Sequence, residues 1–291
     1  MSGELAIAAA RWLEFSAAAV LFGAPLLFLN GLDPTDVRLA WPRSLSPLCA
    51  ALVALGAVAA LALQTASITE GPVSLRAVEQ VLGDTTFGHG TGARLFFAAV
   101  AYVAALNAPG RASWLLTAAG GAGVLASFAW TGHGAMDDGG RGALHLGSDI
   151  LHLLSAGVWV GALAGLLMLL ARGPRQAALT GLTRFSGVGM LVVAVLLASG
   201  LVNAWLLIGT DRLTAALATD YGRLLIAKLV IFVAMLVLAA ANRLLLTPRL
   251  GRDSGGAVPA LKWSIGIETL LAAAVLGIVA VMGTLAPPMA M

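Results

Sequence analysis

Between Thr131 and His152 the chain gathers three histidines, His133, His145 and His152, one methionine, Met136, and three carboxylates, Asp137, Asp138 and Asp149. This is a metal-ligand inventory. Imidazole suits copper, zinc, iron and nickel, and thioether sulfur suits Cu(I), so a His/Met/Asp set without cysteine leans toward a copper ion, as Cu(I) or Cu(II). On a helix His145, Asp149 and His152 stand at i, i+4 and i+7, within about 60° of one another on one face. His145 and His152 are then about 10 Å apart along the axis, too far to hold one ion between them from a straight helix. Either Asp149 orients one of the histidines, or each histidine joins ligands from other helices.

The elements that must position these groups are set by composition. Of 291 residues, 59% are hydrophobic and 11% charged, where a soluble domain carries about a quarter charged residues. The class is membrane. A helix crosses a hydrocarbon core of about 30 Å with about 20 apolar residues, since unpaired backbone groups are intolerable in lipid. Eight stretches meet or approach that length, near 5–29, 46–66, 88–107, 112–131, 146–171, 185–208, 222–241 and 264–286. They are continuous and rich in Ala, Leu and Val, unlike the short alternating strands of a barrel. The expected fold is an all-α polytopic bundle of about eight transmembrane helices forming a single domain over 1–291. The third stretch is the weakest, because Arg94 and the polar Thr85–Thr91 segment shorten its apolar run, and a partly re-entrant path is an alternative.

No basic segment precedes the first apolar run, so it reads as a retained helix and not a cleaved signal. Cys49 is the only cysteine, which excludes a disulfide framework or a Cys-x-x-Cys metal motif. The basic residues report orientation and point to no nucleic-acid partner. The loops after spans 1, 3, 5 and 7 carry ten Lys and Arg, and the other side carries five with Arg94 counted among them. The positive-inside rule then places both termini outside, in the periplasm of a bacterial inner membrane. All four histidines fall on that outer side.

His152 sits about two turns inside its span, where ionisable groups are expensive and usually face a cavity. The end of span 4 and the start of span 5 lie side by side if the two helices are antiparallel neighbours. His133 and His152 are therefore expected to share one copper site, with Met136, His145 and Asp149 as auxiliary or relay ligands. Glu14, His89 and Met282 are further auxiliary candidates: Glu14 lies at a depth similar to His152, and Met282 falls near the outer side. Arg11 and Glu14, at i and i+3, are expected to pair locally. Gly157, Gly161 and Gly165 recur every four residues and should admit a neighbouring helix closely, leaving a narrow dry region beneath the histidines.

Gly132-His133-Gly134, followed by His145-Leu-Gly-Ser-Asp149-Ile-Leu-His152-Leu-Leu-Ser-Ala-Gly-Val-Trp159-Val-Gly161, resembles the CopD/PcoD copper-resistance family. Arg11 with Phe22-Gly23, Thr86-Phe87-Gly88 with Arg94, and Arg184-Phe185-Ser186 extend the resemblance. So do Ser199-Gly200, Tyr221-Gly222-Arg223 with Lys228, and Asn242-Arg243 with Pro248-Arg249. The resemblance implies an eight-helix inner-membrane protein that imports copper, served by a separate periplasmic carrier of the CopC type. It carries over to His133, His145, Asp149 and His152, whereas His89 stands outside the pattern. The sequence has no P-loop and no phosphorylated-Asp transport motif, so no ATP-driven step and no catalytic residue is expected. Two other readings use the same histidines. Haem clamped by His133 and His152 would make a b-type cytochrome-like electron-transfer protein, and a non-transporting copper receptor or chaperone would share the metal site without flux.

Overall fold

The structure is a computed structural model that describes residues 2–69, 73–107, 110–131, 139–209, 216, 218–252 and 255–285. His133 and Met136 therefore lie outside the described residues. Among those described there is no strand, and eight helices are long and apolar enough to span a membrane. They are α1 (Ser2–Leu29), α3 (Leu45–Thr69), α5 (Thr86–Leu106), α6 (Arg111–Ser127), α7 (Gly139–Arg172), α8 (Arg175–Ile208), α9 (Asp220–Ala241, continued below) and α11 (Ala257–Met282). Each coincides with an expected span. Short helices α2 (Pro34–Ala40) and α4 (Leu75–Asp84) fill two loops.

Helix ends follow local chemistry. The Asp33 side chain accepts from the Thr35 amide at 2.7 Å and Pro34 opens α2, where a missing N–H costs nothing. Thr85 separates α4 from α5: its hydroxyl oxygen accepts from the Gly88 amide at 2.9 Å and its O–H donates to the Val81 carbonyl at 2.6 Å. Past that cap α5 runs unbroken from Thr86 to Leu106, so the third span is a full helix and not a re-entrant one. Helices α7 and α8 begin several residues before their apolar runs, at Gly139 and Arg175. Hydropathy marks the lipid-facing stretch, and the hydrogen-bonded helix extends beyond it. After Ala241 the α9 helix passes through a π turn, Asn242–Leu246, into α10 (Thr247–Gly251).

Helix α1 is the hub, packing on α3, α6, α7 and α11. The glycine series explains its contact with α7. A Cβ on Gly161 would lie 2.2 Å from the Ala19 carbonyl oxygen, and one on Gly23 would lie 2.3 Å from that of Gly157. Backbone meets backbone, which only small residues allow. A Cβ on Gly121 of α6 would likewise fall 2.7 Å from the Leu21 backbone, so α1 stands between α6 and α7 along much of their length. The direct side-by-side packing expected of spans 4 and 5 is accordingly limited, because the glycines of both admit α1.

Candidate functional site

Helix α7 has two working faces. Opposite its glycine face, His145, Asp149, His152, Ala156, Trp159, Leu163 and Leu166 follow one another at alternating steps of four and three, the repeat that keeps side chains on one stripe. The upper part of the stripe lines a cavity of about 230 Å³ and the lower part lines another of about 530 Å³. The two cavities share no lining residue.

Their stacking is legible helix by helix. The first cavity uses α7 down to Ala156, α8 from Gly200, α9 up to Lys228 and α11 from Val275. The second begins at Trp159, Val193, Leu236 and Glu268 on the same four helices. At about 1.5 Å per residue the gap is roughly 5 to 12 Å. Leu196, Met235 and Ala272, each no more than 7% exposed, occupy the gap within one apolar cluster. Phe232 adds to it, with its ring 5.8 Å from that of Trp159.

The first cavity brings together His145, Asp149, His152 and Met282 from the expected set. His145 is buried, and Asp149 and His152 are half-buried. The Nδ1 of His152 lies 3.0 Å from Ser199 Oγ, whose O–H donates to the Val195 carbonyl at 2.6 Å. With the hydroxyl hydrogen engaged there, Nδ1–H is the donor to Ser199, and Nε2 carries the free lone pair that a metal ligand needs. Asn203 donates to Asp149 Oδ1 at 3.4 Å. Ser199 and Asn203 partner the stripe from outside the expected set. Their signal was present, as two polar residues at i and i+4 within the apolar run of span 6.

The cavity also holds Arg11, Tyr221 and Lys228. Arg11 donates to the Gly283 carbonyl at 2.9 Å, satisfying an open carbonyl at the end of α11. Arg11 and Lys228 against the single carboxylate of Asp149 leave the cavity's formal balance positive, which opposes a bare cation unless an anionic ligand compensates. Among the described residues no group of three or more His, Cys, Asp or Glu side chains is close enough to hold a metal ion. The donors fit copper by type, while their number is incomplete without sulfur from Met282 or groups outside the described residues.

Two auxiliary candidates sit elsewhere. His89 is exposed, with Nε2 2.8 Å from the Gly83 carbonyl, so it folds back on the α4–α5 junction. Glu14 is fully buried and not on the cavity wall; it pairs with Arg94 at 3.4 Å, in place of the expected local pair with Arg11. Arg94 is 2% exposed, its Cζ lies 3.8 Å from the centroid of the Phe128 ring, and it donates to the Ser127 and Thr131 hydroxyls at 3.3 and 3.1 Å. It is an intramembrane residue and no part of the loop charge. The 3₁₀ turn it grips, Phe128–Thr131, leads directly toward His133, and Phe128 and Thr131 line the first cavity.

An eight-span helix bundle with a histidine- and carboxylate-lined cavity at one end is a polytopic integral membrane protein with polar machinery in its interior. Two family profiles match the chain: copper resistance protein D-like, N-terminal domain, over residues 1–143, and copper resistance protein D over residues 179–282. The chain belongs to the copper resistance protein D family. It is 33% identical to copper resistance protein D of Pseudomonas syringae pv. tomato, covering 99% of both chains. It is 30% identical to inner membrane protein YebZ of Escherichia coli (strain K12), over 96% of this chain and 97% of the relative. Copper transport protein CutJ of Bacillus subtilis (strain 168) is 37% identical over 157 residues, 53% of this chain and 28% of the relative. No solved structure matches the chain significantly.

Proposed function

We propose that this chain is an inner-membrane copper transport protein that takes copper at the first cavity, on the periplasmic side, and passes it through the bundle. The convergence of His145, Asp149, His152 and Met282 on one cavity, in a chain of the copper resistance family, carries this reading. His133 and Met136 complete the ligand set from the segment after Thr131. With Arg94 assigned to the bundle interior, the basic residues number ten on one side and four on the other, which supports periplasmic termini. The family resemblance supports delivery by a separate CopC-like carrier.

Passage needs a conformational change, because an apolar layer separates the two cavities. Met235 within the layer and Met190 on the wall of the second cavity are soft sulfur donors along that route. The test is radiocopper uptake into proteoliposomes of defined orientation, comparing the native chain with His152→Ala. Uptake that depends on His152 is expected. Copper bound with native stoichiometry but no flux would favour a receptor or chaperone, and a Soret band in the purified protein would favour haem.

A further inference from the structure

Glu268 of α11 is 2% exposed and has no cationic partner within 4 Å among the described residues. Two neutral donors hold it. Trp159 of α7 donates its indole N–H to Oε1 at 2.8 Å, and the Asn242 amide donates to Oε2 at 3.0 Å. All three residues line the second cavity. The charged groups facing that cavity are Glu268 itself and Arg243, which is exposed at its rim. From α7 and α8 the groups facing it carry no charge; Trp159 and Ser186 are the polar ones.

A buried carboxylate without a counter-charge is costly, and the ordinary remedy is a proton. Asn242 is built to accept either form. It is 6% exposed, and its Oδ1 has no hydrogen-bond partner among the described residues. An amide presents a donor or an acceptor according to which way it is turned. Its N–H₂ suits ionised Glu268; turned over, its oxygen accepts the O–H of protonated Glu268. Asn242 also opens the π turn, a rare helical irregularity frequent at functional sites.

We infer that Glu268, between Trp159 and Asn242, is a proton-exchange site served by the second cavity, which lies on the side of the apolar layer away from the histidines. Water in the cavity delivers the proton, an O–H bond forms on a Glu268 carboxyl oxygen, and the carboxylate charge is neutralised; release reverses each step. The site does not depend on copper binding in the first cavity. Its position beneath Trp159, whose ring meets Phe232 of the apolar layer, ties its charge state to the packing of that layer.

Infrared difference spectroscopy of the full chain in nanodiscs, without copper, tests this between about pH 4 and about pH 9, a range that brackets exposed and buried carboxyls. The expected result is a protonated-carboxyl C=O band that appears and disappears with pH, is lost in Glu268→Gln, shifts in Trp159→Phe and persists in Asp149→Asn. Persistence in Asp149→Asn separates this site from the first cavity. Identical difference spectra for the native chain and folded Glu268→Gln overturn the inference, as does a band that follows Na⁺ at fixed pH. A permanently ionised carboxylate serving only as a clamp between helices gives no acid band, and overturns it too.

Discussion

Glu14 and Arg94, eighty positions apart in sequence, meet at 3.4 Å in the interior of the bundle, and neither is more than 2% exposed. The pair joins α1 to α5. Through Ser127 and Thr131 the same guanidinium fastens the turn that enters the segment bearing His133. Breaking a buried pair by removing one partner costs about 3–5 kcal/mol, because the remaining charge is stranded. Arg94→Ala is therefore expected to lower thermal stability by that order, with Glu14→Gln/Arg94→Met recovering most of it. Equal losses in the single and double variants, measured by unfolding in the same detergent, would contradict an ion-pair role.

At the first cavity, Ser199 fixes the histidine that faces it. Ser199→Ala leaves His152 Nδ1 without its oxygen partner, and losses of this kind cost about 10- to 100-fold in metal affinity. A fall of at least about 10-fold is expected on copper titration of folded protein. His152→Ala is expected to abolish the high-affinity phase. Unchanged affinity and stoichiometry in both variants would remove His152 from the site.

Lys228 lines the same cavity as Asp149 and opposes an incoming cation. Replacing it with leucine, which carries neither charge nor ligand atom, is expected to tighten copper binding. Asp149→Asn is expected to weaken it. The two variants thus move affinity in opposite directions, and a Lys228→Leu protein that binds copper more weakly would make the lysine a partner of the ligand set instead of its competitor.

The glycine face of α7 gives a stability prediction with an internal control. A side chain on Gly161 would meet the Ala19 carbonyl and the Gly23 backbone, neither of which can turn aside. Gly161→Leu is expected to yield little folded protein by size-exclusion chromatography. Gly147→Ala, where nothing lies within 4 Å of the new carbon, is expected to behave as the native chain.

Much of this arrangement was legible in the sequence, and the reason is periodicity. Eight apolar runs of spanning length became eight helices, and the i, i+4, i+7 spacing of His145, Asp149 and His152 became one wall of one cavity. The Gly157, Gly161 and Gly165 series announced a close approach, although not that α1 would be the neighbour. Pairing between distant helices leaves no such trace. Nothing local to Glu14 selects Arg94 over Arg11, three positions away, and the Trp159–Glu268–Asn242 cluster draws on three helices, of which depth along the spans brings only Glu268 and Asn242 to one level. The π turn after Ala241 is equally silent, since Asn242–Leu246 reads as ordinary helix.

The two faces of α7 differ in what they permit. One is interlocked with α1 at backbone distance, which leaves no slack between the two helices. The other is covered in part by α9, the span with the smallest buried share of the eight, which borders both cavities. In mechanical terms the bundle has a stator, the α1–α7 pair, and a lightly seated leaf facing it. Shifting that leaf away from α7 would carry Phe232 and Met235 out of the partition and needs no change in the glycine seam behind the histidines.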